Sequence, residues 1–524
     1  MATTRRQTFV ACLFALLSTG FVYTFSAFSS ALKDKFKLSS EDIHTIGTCQ
    51  LLTGLLTWSA GILADFVGLR KAVLLGGASG AAIWTLYGSV AVGWLPVSPT
   101  LAFSILGGCA TYSGALVTAG CFGTLSQSFT SNRGGVISIA KSMVGLGTGF
   151  TVALFSVLVP SAAENNEAFL AFPFCLAGAF FVCSFLPAPF IKVMSDVDED
   201  RDDALKVHYC VPNHLLVPVG TTMILLLLVG TISSQILQAQ LAPWHTAVAI
   251  ALMILFAQPF VLLLPSSRQR QRRRIIVREG EGSDDSGSSD CSEDSDTSEF
   301  EGPPPSSPWA GGPCEIIKRP EAWVLWFVVL GAQASSAILF VNMAAIIEAR
   351  QETIISSSFS STLFSCSQSL GRLFTGALTD AAVRRGVPRT WGMVVVAAGM
   401  AVTHALMCIP GYIALSAAVS ICGVFFGAMF ALLVLTVGEL FGTKRVASNY
   451  LLYEGIPSAM GALLFGNFLT AYFEQFNDDL NPQAAYRGLH LTIFSFEVAL
   501  LIASIWLAIR SYRVYRVLFP DSFS

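Results

Sequence analysis

Three ionisable side chains stand inside long apolar stretches of this sequence, where a charge is energetically expensive. Arg372 lies eight residues before Asp380, Lys141 lies eight residues after Arg133, and Glu454 is the third. At ~1.5 Å per residue along a helix, Arg372 and Lys141 are each about 12 Å from those flanking charges. Ionisable residues at that depth in a lipid-embedded helix usually mark a binding or ion-conducting site.

The chemistry of these three groups is that of anion and proton binding. Two cations that face one cavity favour an anionic ligand, and Arg372 offers a carboxylate two parallel N–H groups. A carboxyl such as Glu454 takes up a proton more readily in a partly dry cavity than in water. Two other interpretations stay open: Lys141 and Arg372 extend to the lipid headgroups, and Glu454 forms a hydrogen bond to a neighbouring helix.

The composition shows which elements must hold these residues. Of 524 residues, 53% are hydrophobic and 12% are charged, whereas a soluble protein has about 25% charged residues. Since a membrane helix needs about 20 apolar residues, the charge-free stretches predict about fourteen spanning helices. The 12 cysteines are scattered, without a CxxC pair or a histidine cluster, so we expect no cofactor and no metal site. Nothing indicates binding to nucleic acid.

The fold class predicted is all-α integral membrane, with six regions along the chain. They are a first six-helix half (1–191), a cytoplasmic linker (192–214), two additional membrane helices (215–265), a disordered cytoplasmic segment (266–320), a second six-helix half (321–512) and a cytoplasmic tail (513–524). An alternative for 215–265 is a re-entrant hairpin.

The distribution of basic residues predicts the orientation. With the N-terminus in the cytoplasm, 24 of the 31 lysines and arginines fall in cytoplasmic segments. Such an excess on one side is typical of the cytoplasmic loops of membrane proteins. We therefore expect a multi-pass protein with both termini in the cytoplasm, in the plasma membrane or in an internal organelle membrane.

The central segment 266–320 has a composition that cannot bury a core. It begins with arginines, continues into a Ser/Asp/Glu tract at 281–301 and then reaches three consecutive prolines. The basic part would rest on anionic lipid, and the serines among acidic residues are candidate sites for kinases. A plain solvated linker explains the same composition.

The two halves carry a repeated pattern of residues. Two motifs recur in the same order, with offsets of 315 and 312: Gly61-x3-Asp65-x2-Gly68-x-Arg70-Lys71 matches Gly376-x3-Asp380-x3-Arg384, and Thr124-x4-Phe129-x3-Arg133 matches Thr436-x4-Phe441-x3-Arg445. This order and spacing indicate an internal duplication.

The first motif resembles the signature loop between the second and third helices of the major facilitator superfamily, although Phe66 stands where a basic residue is common. The segments Asn132-Arg-Gly-Gly and Ala140-Lys-x2-Val-Gly-Leu resemble the nodulin-like branch of that superfamily. Arg372-x3-Gly376-x3-Asp380 is similar to the pattern of monocarboxylate carriers, in which the arginine contacts substrate. Here Gln368 and Ser369 stand nearby, without the acidic partner of those carriers.

The resemblance implies a major facilitator fold, in which two pseudo-symmetric halves rock around a site near the middle of the membrane. Asp65 would then pair with Arg70 or with the other half, and Asp380 with Arg384, as two latches that break when the halves move. An alternative is that these charges only fix the topology. Arg372, Lys141, Gln333, Asn342 and Tyr23 would bind substrate, with Glu454 as the proton-coupling residue.

Together these features predict a monomeric secondary transporter for a small organic anion, such as a monocarboxylate, coupled to protons. One alternative is transport of a metal ion such as iron, which would depend on Glu454 and His404. Another is a membrane sensor or scaffold that signals through 266–320. An enzyme is not expected, because the sequence contains no phosphate-binding loop, Ser/His/Asp constellation or zinc signature.

Overall fold

The computed structural model describes residues 4–20, 24–129, 132–159, 166–194, 209–236, 244–264, 307–351, 357–476 and 482–523. The candidate residue Tyr23 and the candidate kinase segment 281–301 lie outside these ranges. Twelve helices in the described part are long and apolar enough to cross a membrane. The prediction of an all-α, multi-pass membrane protein is confirmed.

Several helices of the first half begin or end at a glycine turn, a proline or a capping side chain. Thr4 and Ser39 cap the first and third helices through their hydroxyl groups. The helices are α1 (Arg5–Thr19), α2 (Phe25–Phe36), α3 (Ser40–Leu52), α4 (Thr57–Val67), α5 (Leu69–Val92), α6 (Pro99–Ser128), α7 (Arg133–Leu158) and α8 (Phe172–Phe180).

The two additional helices follow the first half. They are α9 (Leu216–Ile236) and α10 (His245–Ala257), and the latter continues as a 3-10 helix over Gln258–Leu263. Both are long and apolar enough to span. They pack on the first half: the Phe256 ring lies 5.0 Å from that of Phe14 and 5.2 Å from that of Phe150. A Cβ on Gly135 of α7 would meet a methyl of Val217 at 2.6 Å.

The second half repeats the arrangement of the first. Its helices are α11 (Pro320–Ala349), α12 (Ser357–Arg384), α13 (Thr390–Met407), α14 (Tyr412–Phe441), α15 (Val446–Met460), α16 (Thr470–Phe476) and α17 (Pro482–Leu518). A π-helix, Gly461–Leu469, joins α15 to α16, and Pro457 lies just before it. Proline and π-turns both interrupt regular helix hydrogen bonding, so this segment contains a break near its middle.

Two helical segments of the bundle are not among the twelve apolar spans. One is α1 with α2, which lie on either side of residues 21–23. The other is α12, whose hydropathy is lowered by serines, threonines, Arg372 and Asp380. Helix α12 packs along α7 of the other half, and several of its polar residues are buried in protein: Ser360, Ser367, Ser369 and Arg372. Counting both segments gives the fourteen spans that the sequence predicts.

The halves meet along two equivalent pairs of helices. Helix α4 of the first half packs on α15, and α12 of the second half packs on α7. Gly61 allows the first approach, since a Cβ there would lie 2.6 Å from the Ala447 carbonyl oxygen. At the second, the Gly376 N–H donates to Ser138 Oγ at 2.7 Å, and a Cβ on Gly376 would overlap the Gly134 carbonyl.

Candidate functional site

A cavity of about 120 Å³ lies between the two halves. Both halves contribute to its walls, and hydroxyl, amide and charged side chains alternate there with apolar ones. The lining residues are Thr19, Gln50, Leu51, Gly54, Thr57, Thr111, Gly114, Ala115, Thr118, Lys141, Val144, Phe430, Leu451, Glu454, Gly455 and Ser458. A mixed polar and apolar pocket at this interface is suited to a small polar solute.

Two of the lining residues of this cavity form an ion pair between the halves. Lys141 Nζ of α7 lies 2.7 Å from Glu454 Oε1 of α15. The Lys141 side chain is 2% exposed and that of Glu454 is 20% exposed, so the carboxylate is the charge that the cavity displays. Two residues predicted for different roles, anion binding and proton coupling, are therefore direct partners. The alternative interpretation of Glu454 is a hydrogen bond to a neighbouring helix. The structure contains such a bond, because Glu454 accepts from Lys141 of α7.

Aromatic rings enclose the ammonium group of Lys141. Its Nζ lies 4.8 Å from the centroid of the Phe122 ring, 5.0 Å from that of Phe430 and 4.9 Å from that of Tyr450. It also donates a hydrogen bond to the Tyr450 hydroxyl. Ring faces attract cations, so these groups with Glu454 form a pocket for an alkylammonium. We call Glu454, Tyr450, Phe122 and Phe430 the ammonium pocket.

Arg372 lies beside Lys141, but behind the cavity wall. Its guanidinium carbon is 4.9 Å from the centroid of the Phe430 ring, and it donates to Gln368 Oε1 at 3.0 Å. It is 2% exposed and packs against Gly145 of α7. Burial excludes extension of either cation to the headgroups. Among the described residues that line the cavity, however, Lys141 is present and Arg372 is not. The expectation that both face one cavity is therefore wrong for Arg372, which α12 holds against α7.

The predicted amides take different positions. Gln333 is buried beside Ser458, a lining residue whose hydroxyl lies 3.4 Å from Gln333 Oε1. Asn342 uses its amide to hold the broken segment, donating to the Gly466 carbonyl at 3.0 Å and to Thr470 Oγ1 at 3.1 Å. Within the described part, neither Gln333 nor Asn342 lines the cavity. The amide side chain in the described lining is that of Gln50.

His404 does not join Glu454, although the metal-ion alternative depends on both. Its Nδ1 lies 3.1 Å from Nδ1 of His490, and both rings are buried between α13 and α17. Over the described ranges, no three His, Cys, Asp or Glu residues come together as a metal site. Glu497 accepts a hydrogen bond from Ser335 at 2.7 Å in the second half.

The first latch joins the signature loop to the opposite half. Asp65 Oδ2 accepts a hydrogen bond from the Ser448 N–H at 3.2 Å, at the N-terminus of α15. A carboxylate is favourable there because the first N–H groups of a helix are unpaired. Gly68 follows with φ +97°, a conformation that favours glycine. Arg70 is exposed, and Asp65 takes the partner-half option of the two that the sequence left open.

The second latch repeats this geometry. Asp380 Oδ2 accepts from the Gly135 N–H at 3.1 Å, at the N-terminus of α7. Its expected partner Arg384 is exposed on the last turn of α12, and Asp380 pairs instead with Arg389 at 2.5 Å. The prediction of an Asp380–Arg384 pair is therefore wrong. The turn after α12 brings Arg389 back over the carboxylate, whereas Arg384 points away from it.

Arg389 anchors a buried charge cluster that sequence reasoning missed. It lies 2.7 Å from Glu439 Oε1 and donates to Thr379 Oγ1 at 2.8 Å. Burial lowers the pKa of Arg389. The carboxylates of Glu439 and Asp380 raise that pKa by more than burial lowers it, so the net shift is upward. A signal for Glu439 did exist, since it lies inside the repeated Thr436-x4-Phe441 motif.

Tyr450, Phe122 and Phe430 were also missed. Tyr450 could have been found, because it precedes Glu454 by four residues and so shares its helix face. Phe122 and Phe430 carry no such signal among the 39 phenylalanines of the chain. Their roles depend on which helices pack around α7.

Comparison with known proteins gives two results. Residues 5–264, about half of the chain, match the family model described as Nodulin-like. The chain is also similar to the Protein NUCLEAR FUSION DEFECTIVE 4 of Arabidopsis thaliana, with 22% identity over 538 residues. That alignment covers 98% of this chain and 90% of the relative, so the similarity extends through the second half.

Proposed function

We propose that this chain, which belongs to the nodulin-like family, is a secondary transporter that moves a small organic anion through the membrane. The observation that carries the proposal is the Lys141–Glu454 ion pair, which joins the halves inside the cavity. A charge pair at this depth is expensive to maintain unless it has a function. A ligand that competes for either partner also loosens the contact between the halves.

The anion is assigned to Lys141, with Arg372 behind it. A carboxylate that reaches Lys141 Nζ competes with Glu454 for the same ammonium. Arg372, 4.9 Å from the Phe430 ring that Lys141 also faces, adds positive potential on that side. A monocarboxylate fits this arrangement, because it presents one negative group to a cavity whose described lining contains one ammonium, that of Lys141.

Alternating access is supported by the latches. Both lie at one end of the bundle, where Asp65 and Asp380 each bind the first N–H groups of a helix in the opposite half. These contacts hold that end closed and involve few groups, so they can be broken together. By the positive-inside rule, this end is assigned to the cytoplasm.

Coupling to protons follows from what happens to Glu454 when the anion binds. When a carboxylate takes Lys141, Glu454 is left without its cation in a site of low dielectric, and this is unfavourable. Proton uptake by Glu454 would relieve that state. Transport of the anion would then consume a proton gradient.

Flux measurements in proteoliposomes test the proposal. Wild-type protein should accumulate a labelled 2-hydroxy or 2-keto monocarboxylate. Lys141→Met should reduce the flux more than about tenfold, because it removes the ammonium assigned to the anion and a tenfold loss corresponds to only ~1.4 kcal/mol. The matched control is Lys318→Met, at an exposed lysine outside the cavity. Absence of flux for every carboxylate tested, or equal flux in both variants, would remove the proposal.

A further inference from the structure

We propose that the cargo is a zwitterion that carries an ammonium group as well as a carboxylate, as a 2-amino acid does. The inference rests on the proposed function and names the second charged group of the same cargo. It starts from what already fills the site. The ammonium pocket is occupied by a primary alkylammonium, the Nζ of Lys141 itself.

The contacts of that Nζ show what the pocket recognises. It has a carboxylate at 2.7 Å, the Tyr450 hydroxyl, and three ring faces within 5.0 Å. Each of these is complementary to a positive charge, and together they surround it. An ammonium group on a cargo would find the same partners once the Lys141 side chain moved.

The exposure of Lys141 and Glu454 indicates which of the two a solute in the cavity meets first. Lys141 is 2% exposed and Glu454 is 20% exposed, so a solute in the cavity meets the carboxylate first. An ammonium group on the solute is attracted there, whereas a simple anion has to reach Lys141 without that first contact. The carboxylate of the cargo can then reach Lys141 as its Nζ leaves the pocket.

Charge balance favours the zwitterion over the simple anion. One ion pair, Lys141 with Glu454, is replaced by two: Lys141 with the cargo carboxylate, and the cargo ammonium with Glu454. Neither protein charge is left alone in a site of low dielectric, and no proton is required. A simple anion leaves Glu454 to find a proton from elsewhere.

The position of the neighbouring Arg372 agrees with a zwitterionic cargo. Arg372 lies behind Phe430 and donates to Gln368 and, at 3.4 Å, to the carbonyl of Lys141. Its potential favours the carboxylate end of the cargo on the α7 side. The ammonium end is then directed to Glu454 on α15, on the other half of the molecule.

Matched pairs of solutes test the inference. Wild-type protein in proteoliposomes is given labelled 2-amino acids and the 2-hydroxy acids of the same carbon skeletons, such as alanine and lactate, without a pH gradient. We expect the amino acid of each pair to exchange at least about tenfold faster, since each tenfold corresponds to ~1.4 kcal/mol of discrimination. Isopropylamine, which lacks the carboxylate, should not exchange.

Glu454→Gln supplies the decisive variant. Without the carboxylate, the preference should move from the amino acid to the hydroxy acid, while Glu454→Asp should restore part of the original preference. The control is Glu41→Gln, at an exposed position outside the cavity. If a variant fails to elute as a folded protein, the wild-type preference alone decides.

The outcomes separate the two proposals. Flux of hydroxy acids with no flux of amino acids overturns the zwitterion and leaves the anion transporter intact. Equal flux of both members of each pair also overturns the zwitterion. Absence of flux for both classes overturns the inference together with the proposed function.

Discussion

At the scale of single residues, the proposed function depends on a charge pair in which each partner compensates the charge of the other. Lys141 is buried at the interface of the halves, and Glu454 compensates it from the opposite side at 2.7 Å. The surrounding rings add attraction for the cation but cannot replace a carboxylate. The pair is therefore a contact between the halves that also lies in the lining of the cavity.

This coupling predicts a specific pattern of stability. Lys141→Met and Glu454→Gln should each lower the thermal stability of the purified protein, because each leaves the other group uncompensated. The double variant should recover much of the loss, as expected when ~3–5 kcal/mol comes from an unpaired buried charge. Additive losses in a double-mutant cycle, followed by thermal denaturation in detergent, would show that the two side chains do not interact.

Arg389 and Arg384 form a second residue-scale comparison. Arg389→Gln should weaken the second latch and lower stability, because Arg389 joins Asp380 to Glu439, whereas Arg384→Gln changes an exposed side chain. Since the pKa of Arg389 is raised, its charge will persist at any pH used for transport. Thermal denaturation of the two variants checks this expectation, and an equal effect in both would contradict it.

At the scale of elements, small residues set how closely the halves approach. Helix α12 crosses α7 where Gly376 donates its N–H to Ser138 Oγ, and no room is left for a Cβ. The inserted helix α9 packs on the other side of α7, with Val217 beside Gly135. Gly135 is thus in contact with both the second latch and α9, so the additional helices support α7 where it binds Asp380.

Gly376→Ala tests this close approach. The new methyl group would overlap the Gly134 carbonyl and force α12 away from α7, reducing both stability and flux. The control is Gly178→Ala in α8, where a Cβ meets nothing within 4 Å. There the change should stabilise the protein slightly, by up to ~1 kcal/mol, because alanine is the better helix former. Similar behaviour of both variants, in thermal and flux assays, would show that the crossing is not tightly packed.

At the scale of the whole molecule, the two latches are expected to act together. Each connects the second helix of one half to the fifth helix of the other, so the proposed rocking motion would have to break both. In the proposed mechanism, ligand binding in the cavity would contribute the ligand-dependent part of the free-energy difference between the two states of the transporter. The latches would contribute the ligand-independent part. The balance between these two contributions would then set which side of the membrane the cavity faces.

Removing both latch charges should shift that balance. Asp65→Asn with Asp380→Asn should widen the latched end, because neutral side chains bind the helix N-termini more weakly. Spin labels at Phe66, 87% exposed, and at exposed Arg384 report the distance between the halves without disturbing either latch. The distance distribution should move to longer values in the double variant, and an unchanged distribution would assign the latches a purely topological role.

The sequence by itself determined that this is an all-α multi-pass membrane protein, and it predicted about fourteen spans, duplicated halves and three ionisable residues within the spans. These follow from composition, hydropathy and spacing, which are properties of local segments. The resemblance to a known family added the latches as expectations. In the structure Asp65 and Asp380 each bind the opposite half, and Arg389 takes the place expected for Arg384.

Only the tertiary structure decided which of these residues meet. Lys141 and Glu454 are 313 residues apart, and Phe122 and Phe430 join them from two further helices. The same packing places Arg372 behind the wall of the cavity rather than in it. Contacts between separate helices depend on how each helix is rotated about its axis, and that rotation is fixed by packing across the whole bundle rather than by any one segment.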